Sequence, residues 1–167
     1  FLLDLYGFDM SRVKLMDGGT TDWEAFNDLS TEAPEVTPGN VTLKPARPEI
    51  AIEWTDIYQD VYALRDPGVF LLDARPEVQY TGEVTNGAVR AGHIPGAVNI
   101  EGLQATDGQK WMPLERLEEM YADVPKDDRI YVYCHDGFRA TLAYMQLKAL
   151  GYDDVRLYNG GWSHWGN

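Results

Sequence analysis

Two apolar runs constrain this chain more than any other feature: VFLLDA at residues 69–74 and RIYVYC at 129–134. Each is the kind of continuous run that a strand buried on both faces requires. Helical patterns alternate with them. Residues Thr55 to Arg65 are expected to form a helix, AVNI (97–100) a short strand, and Leu114 to Ala122 an acidic amphipathic helix entered at Pro113. After the second run, Ala140 to Leu150 reads as a helix closed by Gly151, and VRLY (155–158) as a further strand. The order βαβα implies the α/β class, with a parallel sheet covered by helices on both faces. Ligands of such sheets sit at the carboxyl ends of the strands. The second run ends on Cys134, the only cysteine.

That position gives the thiol a chemical setting. Residues 135 to 139 (HDGFR) connect the strand to a helix, so their backbone N–H groups can curl around the Cys134 sulfur. Those donors and the positive helix end make an anion cradle, which favours a thiolate. Gly137 permits a backbone conformation that a Cβ would obstruct, and Arg139 supplies a fixed positive charge beside the loop. A thiolate so held can attack a sulfur donor, a phosphoester or a disulfide. An inert cysteine that merely ends a strand needs none of this.

Composition narrows the partners. Over 167 residues, 44% are hydrophobic and 25% charged, as in a globular chain with one full domain and part of another. A formal net charge of -13 argues against nucleic acid and anionic membranes, which need basic patches. One cysteine excludes an internal disulfide framework, and the three scattered histidines suggest no metal. No cofactor is expected. No apolar run reaches the roughly 18 residues of a membrane span. The compartment stays open between cytoplasm and periplasm, since the chain opens at Phe1 without a Met and a leader removed earlier would leave no trace.

An internal similarity organises the chain. GFDMSRVKLMDGGTTDW begins at Gly7 and GYDDVRLYNGGWSHW at Gly151. Val13 aligns with Val155, Leu15 with Leu157, Gly18 and Gly19 with Gly160 and Gly161, and Trp23 with Trp165, at a constant offset of 142 (155 less 13). Residues 1–30 then read as the end of a preceding unit, with a strand at VKLM (13–16) and a helix opened by a capping box at Thr21 and Glu24. Residues 31–50 hold four prolines and form an extended linker, part polyproline-like and part short strand. Too little remains in 1–30 to bury a core. A further polypeptide of roughly 110 residues or more, cleaved or separate, is expected to complete the first unit.

LLDARPEVQYTG (71–82), AGHIPGAVNI (91–100), YCHDGFRA (133–140) and YNGGWSHWGN (158–167) stand in an order and spacing that resemble the tandem-domain rhodanese sulfurtransferases. The resemblance covers residues 51–167 and implies a rhodanese-like fold with an active-site loop at 134–139. It further implies a persulfide mechanism. Cys134 would take sulfane sulfur from a donor such as thiosulfate and pass it to a thiol or cyanide acceptor, with the loop amides stabilising thiolate and persulfide. A module that carries or presents sulfur to a partner protein without catalysis is the alternative. Cysteine-dependent phosphatases, by contrast, place Arg after five intervening residues. Six places past Cys134 stands Ala140, with the arginine one earlier at 139.

The donor is less legible. Thiosulfate-specific relatives carry cations in the loop and about four residues after the DxR arginine. Here those places hold His135, Asp136 and Gln79, and Asp136 would repel a dianion. Mercaptopyruvate-type loops carry small residues instead, so neither pattern fits. The expected substrate-binding residues are His135, Asp136, Gly137, Phe138, Arg139 and Arg75. Asp73 is expected to pair with Arg75 and brace the loop, a role as open to Arg75 as substrate contact. His93, in GHIPG, is expected to bond backbone and fix a turn. His135 adjoins Cys134, but adjacent side chains diverge, so no protease-like Cys–His pair is expected. His164, Trp162 and Trp165 read as packing, and LERLEEMYAD as a solvated face.

Overall fold

The computed structural model of the chain describes residues 1–108 and 110–167. Two short helices, α1 (Leu2–Leu5) and α2 (Gly19–Glu24), come first. Then follow strand β1 (Ala51–Ile52), helix α3 (Trp54–Ile57) continuing into a π-helical stretch (Tyr58–Ala63), β2 (Val69–Asp73), α4 (Glu77–Tyr80) and β3 (Val98–Asn99). A 3-10 turn leads into the pair β4 (Thr106–Asp107) and β5 (Lys110–Trp111), then α5 (Leu114–Met120), β6 (Arg129–Tyr133), α6 (Phe138–Ala149), β7 (Val155–Tyr158) and α7 (Gly161–Trp165).

The main sheet has five parallel strands in the order β1-β7-β6-β2-β3, so the two apolar runs lie side by side at its centre. Alternate residues feed two cores. Leu72, Ile130, Val132, Val155 and Leu157 face α5 and α6, whereas Leu71, Tyr131, Tyr133 and Tyr158 face Ile57, Ile94 and Trp162. Each fully buried aliphatic side chain contributes roughly 1.5–3 kcal/mol. From β2 the chain crosses to β3 on one side, and from β6 it crosses to β7 on the other. The carboxyl ends of β2 and β6 therefore flank the crevice where connections diverge, the usual ligand position in open α/β sheets.

Several boundaries differ from the sequence expectations. Val13–Met16 is not a strand: Met10–Arg12 forms a 3-10 turn, and 13–16 pairs with no strand among the described residues. The capping box at Thr21 and Glu24 does not open α2, because Gly18 and Gly19, at φ 85° and 57°, start the helix earlier and leave Thr21 inside it. Residues 31–50 contain no strand, and the linker is held instead by Lys44 N–H and Arg47 N–H donating to the carbonyls of Tyr6 and Leu5. The helix expected over 55–65 is α-helical only to Ile57 before widening into the π-helical stretch. Helix α6 begins at Phe138 rather than Ala140, because Gly137 (φ 91°) turns the chain into it.

Segment 1–30 lies against the sheet domain through a few contacts. Phe1 packs edge-on against Tyr144 with centroids 5.2 Å apart, the Tyr144 hydroxyl donates to Asp4 at 2.7 Å, and Trp111 N–H donates to Asp17 at 2.9 Å. Within this segment only Gly18 is buried.

Candidate active site

Strand β6 is paired on both sides, by β2 and β7. Its end is therefore a fixed platform, and Cys134 follows immediately, its side chain 0% exposed. The loop after it is locked from outside. Trp162 N–H donates to the Cys134 carbonyl and Ser163 N–H to the His135 carbonyl, both at 2.8 Å, so the first turn of α7 holds two loop carbonyls. Gly161 makes this possible. At φ 57° it takes a left-handed conformation, and a Cβ there would lie 2.6 Å from both carbonyl oxygens. Gly137 meets a similar demand, since a Cβ on it would lie 2.5 Å from Asn159 Oδ1.

Behind the loop sits a buried ion pair. Arg75 and Asp73 are 1% and 0% exposed, joined by Nη2 to Oδ2 at 2.7 Å and Nε to Oδ1 at 3.0 Å. The same Arg75 Nη2 donates to the Gly92 carbonyl at 2.8 Å, and the guanidinium lies over the Trp162 ring at 4.9 Å. Burying both charges is costly unless each is fully partnered, and here the fork is spent on a carboxylate, a carbonyl and a ring face. Of the two roles open to Arg75, this geometry supports bracing: the guanidinium ties the end of β2 to the Gly92 loop and to α7.

His93 stacks on Tyr80 at 3.7 Å and its Nδ1 lies 2.8 Å from the Tyr80 carbonyl. It shapes the 91–97 turn, whose Ile94 N–H donates to the Tyr133 hydroxyl at 3.1 Å. Burial and the neighbouring Asp73 push the Tyr133 phenol far above its ordinary value, so it stays a neutral acceptor next to Cys134.

The loop residues themselves divide. His135 and Asp136 follow Cys134 directly. Burial pushes the His135 imidazole below its ordinary value, with Arg75 and Arg139 adding to the shift and Asp136 opposing it. Its Nδ1 has no hydrogen-bond partner among the described residues. Asp136 folds back so that Oδ1 accepts from Phe138 N–H at 3.3 Å and from the Cys134 thiol at 3.9 Å. Arg139 stands in the first turn of α6, where a positive charge opposes the helix dipole but adds to the cradle's potential, and its Nη2 donates to Gln79 Oε1 at 3.3 Å. Phe138 is 82% exposed and lines a groove of about 330 Å³ with Arg139, Leu103, Trp111 and Leu142.

Sequence reasoning missed Asn99, whose side-chain amide donates to the carbonyls of Asp73 and Arg75 at 2.9 and 2.8 Å. It also missed Asn159 and Gly161 as the wall against which the loop closes. The repeated Gly pair was the available signal for Gly161. His164 bonds the Tyr158 hydroxyl at 2.7 Å and Trp162 is buried, both as packing residues. Among the described residues no group of acidic, histidine and cysteine side chains is placed to hold a metal, and no helix is long and apolar enough to cross a membrane.

Comparison with known proteins places this arrangement. Residues 58–167 match the family model of the rhodanese-like domain. The chain is 35% identical over 168 residues to the sulfur carrier protein TtuD of Thermus thermophilus, covering 93% of this chain and 59% of that protein. It is 33% identical over 181 residues to a thiosulfate sulfurtransferase of Azotobacter vinelandii, covering 100% of this chain and 60% of that protein. The chain thus spans about three fifths of the length of these relatives. A structure of EanB with ergothioneine superposes with a TM-score of 0.84 at 23% identity, over 98% of this chain and 41% of that one, which shows a shared fold. By its matched residues, its parallel sheet and its cysteine loop, this chain belongs to the rhodanese family.

Proposed function

We propose that the chain transfers sulfane sulfur through a persulfide on Cys134. The observation that carries this reading is the closure of the loop on α7. With the Cys134 and His135 carbonyls bonded by Trp162 and Ser163 N–H groups and Phe138 N–H held by Asp136 Oδ1, the other amides of the loop and of the first turn of the 12-residue α6 are the groups left to surround the sulfur. Such a cradle stabilises a thiolate before transfer and a terminal persulfide after it. Relatives that act in sulfur transfer support the same chemistry. In the proposed cycle Cys134 Sγ attacks the donor's sulfane sulfur, the donor's remainder departs, and a thiol or cyanide then removes the outer sulfur and restores the thiolate.

A second reading is favoured by one observation. The Cys134 side chain is 0% exposed, a setting that suits holding sulfur for a partner protein as well as rapid turnover. One relative is named a sulfur carrier. Cyanide-dependent thiocyanate formation separates the two. The catalytic reading predicts turnover that Cys134→Ser abolishes while the far-ultraviolet circular dichroism is unchanged. Retained turnover in Cys134→Ser contradicts both readings. A single stoichiometric transfer supports the carrier.

A further inference from the structure

We propose that a second pocket, apart from the cysteine loop, binds a flat aromatic monocarboxylate, with Arg90 as the anchor. The pocket, of about 340 Å³, is lined by Trp54, Tyr58, Arg90, Tyr158, His164 and Trp165. Trp54 follows the end of β1 and Tyr158 closes β7, so the pocket lies at the carboxyl ends of two strands, the side on which open α/β sheets take ligands. None of residues 134–139 lines it.

Its walls are aromatic and held. Trp54 and Tyr58 meet at 64° with centroids 6.4 Å apart, Tyr58 and Tyr62 lie at 6.2 Å, and Tyr62 and Trp165 at 6.0 Å. One aromatic row thus runs from α3 to α7. The Tyr158 hydroxyl lies 2.7 Å from His164 Nδ1 and fixes the imidazole. Trp54 and Tyr58 are nevertheless 45% and 56% exposed, and neighbouring rings left this open make the kind of surface that ligand sites use. Tyr58 also opens the π-helical stretch Tyr58–Ala63, an uncommon geometry that gathers at functional sites.

Arg90 gives the pocket its sign. Its backbone is stitched to the end of α7. Arg90 N–H donates to the Gly166 carbonyl at 3.0 Å, Trp162 Nε1–H donates to the Arg90 carbonyl at 3.1 Å, and Val89 N–H donates to Asn167 Oδ1 at 2.8 Å. Acidic residues outnumber Lys and Arg 27 to 14, and Arg47, Arg75, Arg116, Arg129 and Arg156 each meet a carboxylate. Arg90 is exposed and meets none among the described residues. A guanidinium held beside open ring faces without its own carboxylate suits one brought by a ligand. The fork takes a carboxylate through two parallel hydrogen bonds while the ligand's ring lies against Trp54 and Tyr58. No acidic residue lines the pocket, so a cationic ligand would meet Arg90 with nothing to balance it. Glu53 acts on Tyr158 from nearby, which disfavours a second negative charge and limits the ligand to a monoanion.

Fluorine NMR titrations with 4-fluorobenzoate, 4-fluorobenzamide and 4-fluorobenzyltrimethylammonium test this, because the probes share a ring and differ in charge. Wild type should bind the benzoate at least about tenfold more tightly than the benzamide, as expected for a hydrogen-bonded charge pair, and the ammonium least. Arg90→Gln should bring benzoate and benzamide to the same affinity. Tyr58→Ala should weaken both by a similar factor and keep the preference for benzoate. Cys134→Ser should bind benzoate as wild type does, which separates this site from sulfur transfer. The proposal is overturned by equal wild-type affinity for benzoate and benzamide, by tighter binding of the ammonium, or by no binding of any probe at millimolar concentration. A benzoate preference that survives Arg90→Gln, or benzoate binding unchanged in Tyr58→Ala, also overturns it. Loss of benzoate binding in Cys134→Ser would place the carboxylate in the cysteine loop and overturn it as well.

Discussion

The stretches Val13–Met16 and Val155–Tyr158 are similar in sequence and end in similar Gly pairs, yet only the second is a strand. Val155–Tyr158 lies between β1 and β6, bonded on both sides, and Leu157 and Tyr158 are 0% exposed. Val13–Met16 has no strand partner among the described residues, and Leu15 and Met16 are 66% and 52% exposed. The helices that follow do match: α2 starts at Gly19 and α7 at Gly161, both glycines at φ 57°. A helix turn closes its own hydrogen bonds, whereas a strand exists only where a ladder awaits it. Local sequence therefore specifies the helix start in both stretches and the strand in one.

The largest expected effect comes from the side chains. Leu157→Ala should cost about 2–5 kcal/mol, as buried leucine truncations do, whereas Leu15→Ala should stay within about 0.5 kcal/mol. Urea denaturation of both variants measures this, and equal losses would break the contrast. The glycines come next. Alanine at either position meets the left-handed strain of roughly 1–2 kcal/mol, but a Cβ at Gly19 has no atom within 4 Å, while one at Gly161 meets the Cys134 and His135 carbonyls. Gly161→Ala should therefore lower sulfur transfer at least about tenfold, in line with the cost of displacing a reacting group. Gly19→Ala should leave transfer unchanged. Equal activity in the two variants would mean that loop closure on α7 is unimportant.

The smallest effect is a pH dependence confined to one stretch. Burial, then Glu53, pushes the Tyr158 phenol up to about 12, while Met16 stands at the equivalent place in the first stretch. A pKa raised on folding contributes stability that is complete below the unfolded value near 10 and is lost as pH climbs towards 12. Denaturation between pH 9 and 12 should show stability declining, with a shallower decline in Tyr158→Phe. Some decline should persist, because burial also raises Tyr62 and Tyr131 to about 12. An identical slope in Tyr158→Phe and wild type would remove Tyr158 from the account.

Much of the site was legible for the same reason that the helix starts were. The runs 69–74 and 129–134 announce buried strands by composition, and a cysteine, a glycine and an arginine between strand and helix announce a cradle. The Asp73–Arg75 contact and the bond of His93 to a backbone carbonyl were readable from residue type and spacing. What stayed hidden depends on distant partners. Nothing local in VKLM says that no strand lies beside it. Nothing local in Gly161 says that two carbonyls approach within 2.6 Å of its missing side chain. Asp136 was legible as a charge near the sulfur, but its return onto Phe138 N–H and the thiol is a property of the closed loop.

Sulfur transfer through Cys134 is decided by mass measurement of the purified chain before and after exposure to a sulfane-sulfur donor, with the modified peptide located by fragmentation. The expected result is a gain of about 32 Da on Cys134, removed by cyanide and absent in Cys134→Ser. A chain that gains no sulfur from thiosulfate or from a persulfide, or that carries the added mass on any residue other than Cys134, contradicts it.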